Sequence, residues 1–217
     1  MDITYLGHSS FKIKGKTAAV VTDPFSSEMV GFKFPKTEAD IVTISHQHQD
    51  HNHQNLVEGN PFIISEPGEY EVKGVSVFGY PSFHDSASGA ERGENIIYVI
   101  ETEGLRICHL GDLGSAIPSK TLEEISEVDV LMIPVGGVVT IGPKEAVDLI
   151  SQIEPNIVLP MHYRAPGIDK IKFGDLATLD VFLKEMGAES SEKLDKISLA
   201  KDKLPEETKV VLLERKS

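Results

Sequence analysis

Tryptophan is absent from the chain, cysteine occurs once, and aromatic residues make up only 6% of it. The lone thiol, Cys108, excludes an intrachain disulfide framework and fits a reducing compartment. The shortage of flat side chains argues against a base-stacking platform. Positive charge is scarce as well: 21 Lys and Arg against 34 Asp and Glu give a formal charge of −13. Such a chain repels polyanions, and its one short basic set, Lys12, Lys14 and Lys16, alternates as the solvent face of a strand does. No nucleic-acid partner is expected, although bound metal would still suit a small phosphorylated or carboxylated substrate. No apolar run is long enough to span a membrane, and Met1-Asp-Ile-Thr-Tyr5 starts strand-like, without leader character. The expectation is a cytoplasmic protein with no membrane partner. Nothing in the sequence demands self-association, and an oligomer stays open. Neither a linker nor a low-complexity stretch interrupts the 217 residues, so a single domain over 1–217 is expected.

Histidine, by contrast, is concentrated. Ser45-His46-Gln47-His48-Gln49-Asp50-His51-Asn52-His53 places four imidazoles and a carboxylate on nine residues, directly after the apolar, β-branched run Ala39–Ser45. That run reads as a buried strand, with His46 opening the loop at its end. Neutral imidazole and carboxylate suit Zn, Fe, Mn or Ni when several converge within about 2.0–2.2 Å of the ion. Residues two apart in extended chain point the same way, so His46 and His48 can grip one ion while Asp50 and His51 turn toward another. A tag remnant or surface tract fits poorly, because neither is fed by a buried strand. Further donors close later strand-like segments: His84 after Val77–Phe83, Asp112 after Ile107–Gly111, and His162 after Ile157–Met161. Polar ligands repeatedly placed past apolar strands build a site along one sheet edge.

The segment His46-Gln-His-Gln-Asp-His51, the later His84, His109-Leu-Gly-Asp112 and Pro160-Met-His-Tyr163 resemble, in order, the successive motifs of the metallo-β-lactamase fold superfamily. Thr4–Phe11, Thr22-Asp-Pro-Phe25 and Pro134-Val-Gly-Gly137 narrow the likeness to its small UlaG-like and UPF0173-like metal-dependent hydrolases. The resemblance runs from near residue 3 to near residue 165. It implies an α/β fold, the four-layer αβ/βα sandwich, with a dinuclear centre at one edge of two sheets. Carried over by position, His46, His48 and His84 would bind one divalent ion, Asp50, His51 and His162 the second, and Asp112 would bridge them. Zinc is favoured, with manganese or iron as alternatives. Related diiron oxidoreductases carry Glu where this chain has His48, which leans toward hydrolysis.

Elementary chemistry agrees: two divalent cations acidify a bridging water and stabilise the oxyanion formed as it attacks. Asp50 then acts both as ligand and as catalytic orienter or acceptor of the water proton. No Ser or Cys nucleophile is needed, so Ser9, Ser10 and Ser45 are read as structural. His8, at the end of the first strand, is read as a pocket residue touching substrate or bonding a ligand. Asp23 is expected to bond a ligating histidine or the motif loop, and His109 to pack or bond behind the site. His53 is read as solvated or peripheral. Gly136 and Gly137 could let the backbone approach a substrate, or simply make a tight turn; Arg164 could contact substrate. Residues 85–94 are small and polar and are read as a mobile flap after His84.

Strands are expected near 2–6, 10–14, 17–22, 41–45, 62–65, 70–72, 75–79, 96–101, 105–109, 129–133, 157–160, 194–200 and 209–213. Helices are expected near 54–58, 118–125, 143–153 and 175–186. In 143–153, Ala146, Leu149, Ile150 and Ile153 form one apolar stripe behind Pro143. The family fold pairs two similar halves, which would divide near Gly89–Gly93. The reading that results is a hydrolase of a small soluble substrate, with an ester, lactone or related acyl bond preferred by analogy. A phosphodiesterase or nuclease, for which Arg92, Arg164 and Lys170 are the nearest phosphate donors in sequence, is one alternative. A non-catalytic metal-binding or redox protein is the other.

Overall fold

The computed structural model describes residues 1–191 and 193–216. In chain order the strands are β1 (Asp2–Gly7), β2 (Ser10–Lys14), β3 (Ala19–Thr22), β4 (Thr37–Glu38), β5 (Ile41–Thr43), β6 (Val57–Glu58), β7 (Phe62–Ile64), β8 (Gly68–Val72), β9 (Val75–Phe83), β10 (Glu94–Thr102), β11 (Leu105–His109), β12 (Val130–Pro134), β13 (Ile157–Met161), β14 (Lys193–Leu194), β15 (Ile197–Ser198), β16 (Lys209–Val210) and β17 (Leu212–Leu213). The helices are α1 (Ser27–Val30), α2 (Ser119–Glu124), α3 (Pro143–Ile153), α4 (Lys170–Phe173) and α5 (Leu179–Met186).

Two sheets carry the fold, one of six strands in the order β15-β1-β2-β3-β5-β7 and one of seven in the order β16-β13-β12-β11-β10-β9-β8. Period-two alternation decides how they pack. On β10, Ile96, Tyr98 and Ile100 join Ile3, Phe11, Ile13 and Ile41 of the first sheet in one core. The intervening Ile97 and Val99 join Ala146, Ile150 and Phe182 on the opposite face. Both faces of the strand are therefore covered, which is why it reads as a continuous apolar run. The first sheet's outer face, with Leu6, Val21 and Val42, packs against Val30, Phe173 and Leu176. The order helix, sheet, sheet, helix is the expected four-layer sandwich.

Helix α3 begins at Pro143 behind Gly142 and buries Ala146, Ile150 and Ile153 as its stripe requires. The helix expected over 175–186 starts only at Leu179, because the Ala177 N–H donates to the Gly136 carbonyl and its own carbonyl accepts from Arg164 N–H. Residues 54–58 form a single 3-10 turn followed by β6, where Val57 pairs with Thr37. The chain changes sheet between β7 and β8, well before Gly89–Gly93, which lies inside the second sheet between β9 and β10. The C-terminal stretch closes an edge of each sheet: Ser198 pairs with Asp2 on β1, and Val210 pairs with Val158 on β13. Among the described residues no helix is long and apolar enough to cross a membrane.

Candidate metal centre

Six turns converge at one end of the sandwich. His8 follows β1, Asp23 follows β3, the His46–His53 loop follows β5, His84 follows β9, Asp112 lies just past β11, and His162 follows β13. Three of these residues adopt left-handed backbone, His8 at φ 54°, Asp23 at φ 40° and His162 at φ 49°. For L residues that costs on the order of 1–2 kcal/mol each, and it concentrates where side chains must be aimed. His162 N–H donates to the His8 carbonyl at 2.9 Å, tying the two turns together. Glycine takes its place for the same reason: a Cβ on Gly136 would lie 2.2 Å from the His162 carbonyl oxygen, and one on Gly114 2.3 Å from that of His84.

The donors fall into groups whose ligand atoms lie within 4.8 Å of one another: His46, His48 and His84; His8, Asp50, His51 and His162; and His46, His51 and Asp112. Asp112 stands between the first two groups. Its Oδ2 is 3.2 Å from Nε2 of His51, 3.2 Å from that of His162, 3.3 Å from that of His84 and 4.0 Å from that of His46. Donor atoms bonded tetrahedrally at about 2.0–2.1 Å lie about 3.3 Å apart, so this packing suits metal ligation. Among the described residues, the Nε2 atoms of His46, His51 and His162 and Oδ1 of Asp112 are buried with no hydrogen-bond partner. Buried polar atoms are ordinarily satisfied, and four unsatisfied ones on residues of one cluster suit a bound cation.

The tautomers are fixed from behind. His51 Nδ1 donates to Asp23 Oδ2 at 2.8 Å, which leaves Nε2 as the lone pair. The Ser45 hydroxyl donates to the same oxygen at 2.6 Å, so at 2.9 Å from His46 Nδ1 it can only accept, and His46 also presents Nε2. Asp23 thus aims one histidine in each group. Burial raises its carboxyl, but the His51 bond and the neighbouring His109 outweigh this and hold it below the ordinary range. Burial likewise opposes charge on His51, yet Asp112 and Asp50 hold its pKa well above normal. The position attracts positive charge, whether proton or metal ion.

Most of the residues singled out in the sequence meet here, and several do so in different roles. His8 is 2% exposed and places Nε2 3.1 Å from Asp50 Oδ2, the ligand-bonding one of its two expected roles. Burial, then His162, pushes its pKa down to about 4 against the pull of Asp50. Gly136 is buried against His162, and Gly137 forms a turn at φ 67° whose N–H donates to Ile141 O. Gly136 is closed off from a substrate, whereas Gly137 keeps part of its surface exposed. The Arg164 guanidinium donates to the Gly174 carbonyl at 2.7 Å, which ties it to the α4 turn. His109 donates through Nε2 to the Ser9 carbonyl and accepts from Gly111 N–H. His53 stands at the start of the 3-10 turn, outside the cluster, and its side chain makes no capping bond there.

Two residues carry no warning in the sequence. Asn95, buried at the start of β10, donates to Ser82 Oγ and the Leu110 carbonyl and accepts from Asp112 N–H. The only hint is an amide opening an apolar run. Asp85 collects the N–H groups of Ala87, Gly89, Glu91 and Arg92 on its carboxylate, while His84 N–H donates to Gly93 O. The 85–94 segment is therefore a built loop, not a loose flap.

Residues 2–162 match the family model described as a beta-lactamase superfamily domain. The chain belongs to the metallo-β-lactamase superfamily, among its metal-dependent hydrolases. A UPF0173 metal-dependent hydrolase of Thermococcus onnurineus is 33% identical, with 75% of this chain and 84% of that protein covered. Another, from Methanopyrus kandleri, is 30% identical over the same shares. Among solved structures, a candidate Zn-dependent hydrolase of the superfamily from Thermotoga maritima is 39% identical and superposes with a TM-score of 0.79 over 98% of this chain and 97% of that one.

Proposed function

We propose that the chain hydrolyses an acyl bond, an ester or lactone, in a small soluble substrate, using two divalent cations that the donor groups on either side of Asp112 would hold. The observation that carries this is the pair of donor groups with Asp112 Oδ2 between them and buried, unpartnered imidazole nitrogens on both sides. His46, His48 and His84 would hold one cation and Asp50, His51 and His162 the other. Such cations supply an acidified water and positive charge for the developing oxyanion. Zinc is our choice, because imidazole-rich donor sets suit it and the Thermotoga relative is described as Zn-dependent.

The protein's own groups do the rest. Asp50 is buried, yet His51 and His8 hold its carboxyl well below the ordinary range, so it stands ionised to take the proton of the attacking water. His8 fixes Oδ2 of that carboxylate, the oxygen that also faces His51 at 3.5 Å and would ligate the cation, and leaves the other oxygen for the proton. Returning it to the departing alcohol completes hydrolysis without a side-chain nucleophile. The low content of flat side chains and the net charge of −13 favour a small substrate over a nucleic acid. The lone buried thiol supports a cytoplasmic setting.

A panel of chromogenic carboxylic esters, lactones and phosphodiesters, run on zinc-loaded protein and on Asp50→Ala, tests the reading. Turnover of acyl substrates, lost in the variant, is expected. Preferential cleavage of phosphodiesters, or no turnover by well-loaded protein, would reject the acyl assignment.

A further inference from the structure

Beside the donor groups lies a cleft of about 320 Å³, whose lining includes His46, His48, Glu66, Pro67, Arg92 and Glu94. Its volume falls at the small end of the roughly 300–1,000 Å³ typical of small-molecule sites. Two of the proposed metal-binding histidines thus line the same cleft as a cationic side chain. Of the three cations near the site in sequence, Arg164 and Lys170 do not line this cleft, and Arg164 donates to the Gly174 carbonyl. Arg92 differs: among the described residues its guanidinium makes no ion pair or side-chain hydrogen bond, although the chain carries a surplus of 13 negative charges.

Its backbone is held firmly. Arg92 N–H donates to Asp85 Oδ2 at 2.7 Å, and the next carbonyl, that of Gly93, accepts from His84 N–H at 3.1 Å. The residue is therefore registered directly on the strand end that carries a donor histidine. A free guanidinium so placed is a ready partner for a planar anion, which it can engage with two parallel hydrogen bonds. Glu66 and Glu94 on the same cleft set the charge the occupant can bear: one negative group is balanced by Arg92, and a second would face carboxylates.

We propose that Arg92 anchors a single carboxylate on the substrate, whose scissile acyl bond lies toward His46 and His48. This rests on the acyl reading above and narrows it to monoanionic esters or lactones. The test compares wild type, Arg92→Gln and Arg92→Lys, all zinc-loaded, on mono-p-nitrophenyl glutarate and the neutral p-nitrophenyl butyrate. The ratio of kcat/KM for the anionic to the neutral ester is expected to fall about tenfold in Arg92→Gln and less in Arg92→Lys. A ratio unchanged within twofold would overturn the proposal.

Calorimetric binding of hexanoate, hexanamide and butyl phosphate gives an arm independent of turnover. Wild type should bind hexanoate best and Arg92→Gln should lose that preference. Equal or tighter binding of butyl phosphate, or a hexanoate preference that survives in Arg92→Gln, would overturn it. If neither ester is cleaved, the acyl reading fails, while the binding arm still decides whether Arg92 selects a monoanion.

Discussion

Asp23 offers the sharpest perturbation, because a single carboxylate aims a histidine in each donor group. Its Oδ2 accepts from His51 Nδ1 and from the Ser45 hydroxyl, and its Oδ1 accepts from Ser45 N–H at 2.8 Å. In Asp23→Asn the amide nitrogen must replace one oxygen. At Oδ2 it would face two donors, at Oδ1 only one, so the side chain settles with the nitrogen against Ser45 N–H. One buried bond is lost, about 1–3 kcal/mol of stability, and a neutral carbonyl is left to hold both histidines. Loss of such orienting partners typically weakens metal binding about 10–100-fold, or about 1.4–2.7 kcal/mol. Ser45→Ala is the partial version: it removes the acceptor of His46 Nδ1–H while the Asp23–His51 bond stays. Competition titration against a chromophoric chelator, fitted to two sites, should show both sites weakened in Asp23→Asn and one in Ser45→Ala. The relay is refuted if Ser45→Ala weakens both sites equally, or if Asp23→Asn binds within twofold of wild type.

Val138 is β-branched, sits at φ 64° and is 67% exposed, so Val138→Gly should relieve on the order of 1 kcal/mol and raise Tm by about 2–4 °C; a lower Tm would show that the turn is unstrained. Tyr98 donates its hydroxyl across the sandwich to the Ile44 and Ile64 carbonyls, and Tyr98→Phe should cost about 1–2 kcal/mol in denaturant unfolding without changing metal affinity. Cys108 is fully buried, and burial pushes its thiol pKa up, so a thiol reagent should label it only at the rate of unfolding; native labelling at the rate of a free thiol would contradict the packing. The four N–H bonds to Asp85 outweigh burial and hold its carboxyl below the ordinary value near 3.9, so its contribution to stability is present above that pH and is lost on further acidification. Asp85→Ala should flatten that acid limb and open 86–93 to limited proteolysis, and an unchanged limb would remove Asp85 from it.

How far the sequence speaks depends on whether chemistry or packing chose the residue. His46, His48, Asp50, His51, His84, Asp112 and His162 stand out because few side-chain types bind metal, and each closes an apolar strand whose end is itself visible. Their convergence in space is what the fold adds. Asn95 and Asp85 escape notice because their work is done on backbone groups, and nothing local distinguishes a structural amide from a surface one. The composition of 85–94 suggests looseness, yet one carboxylate organises it. Gly136 signals a close backbone approach, which is correct, but the neighbour is the His162 carbonyl. Strand order is the least legible feature. Residues 197–198 and 209–210 close the edges of sheets begun far earlier, and pairings of such separation leave no pattern within a short window.

Metal counting tests the shared centre most directly. Wild type, His48→Ala and His162→Ala would be reconstituted with excess zinc, freed of loose metal, and analysed by elemental mass spectrometry against protein concentration. Two groups joined at Asp112 predict close to two ions per chain in the wild type and close to one in each variant. A wild-type value of one or less, or variants that keep the wild-type content, would contradict the two-group centre.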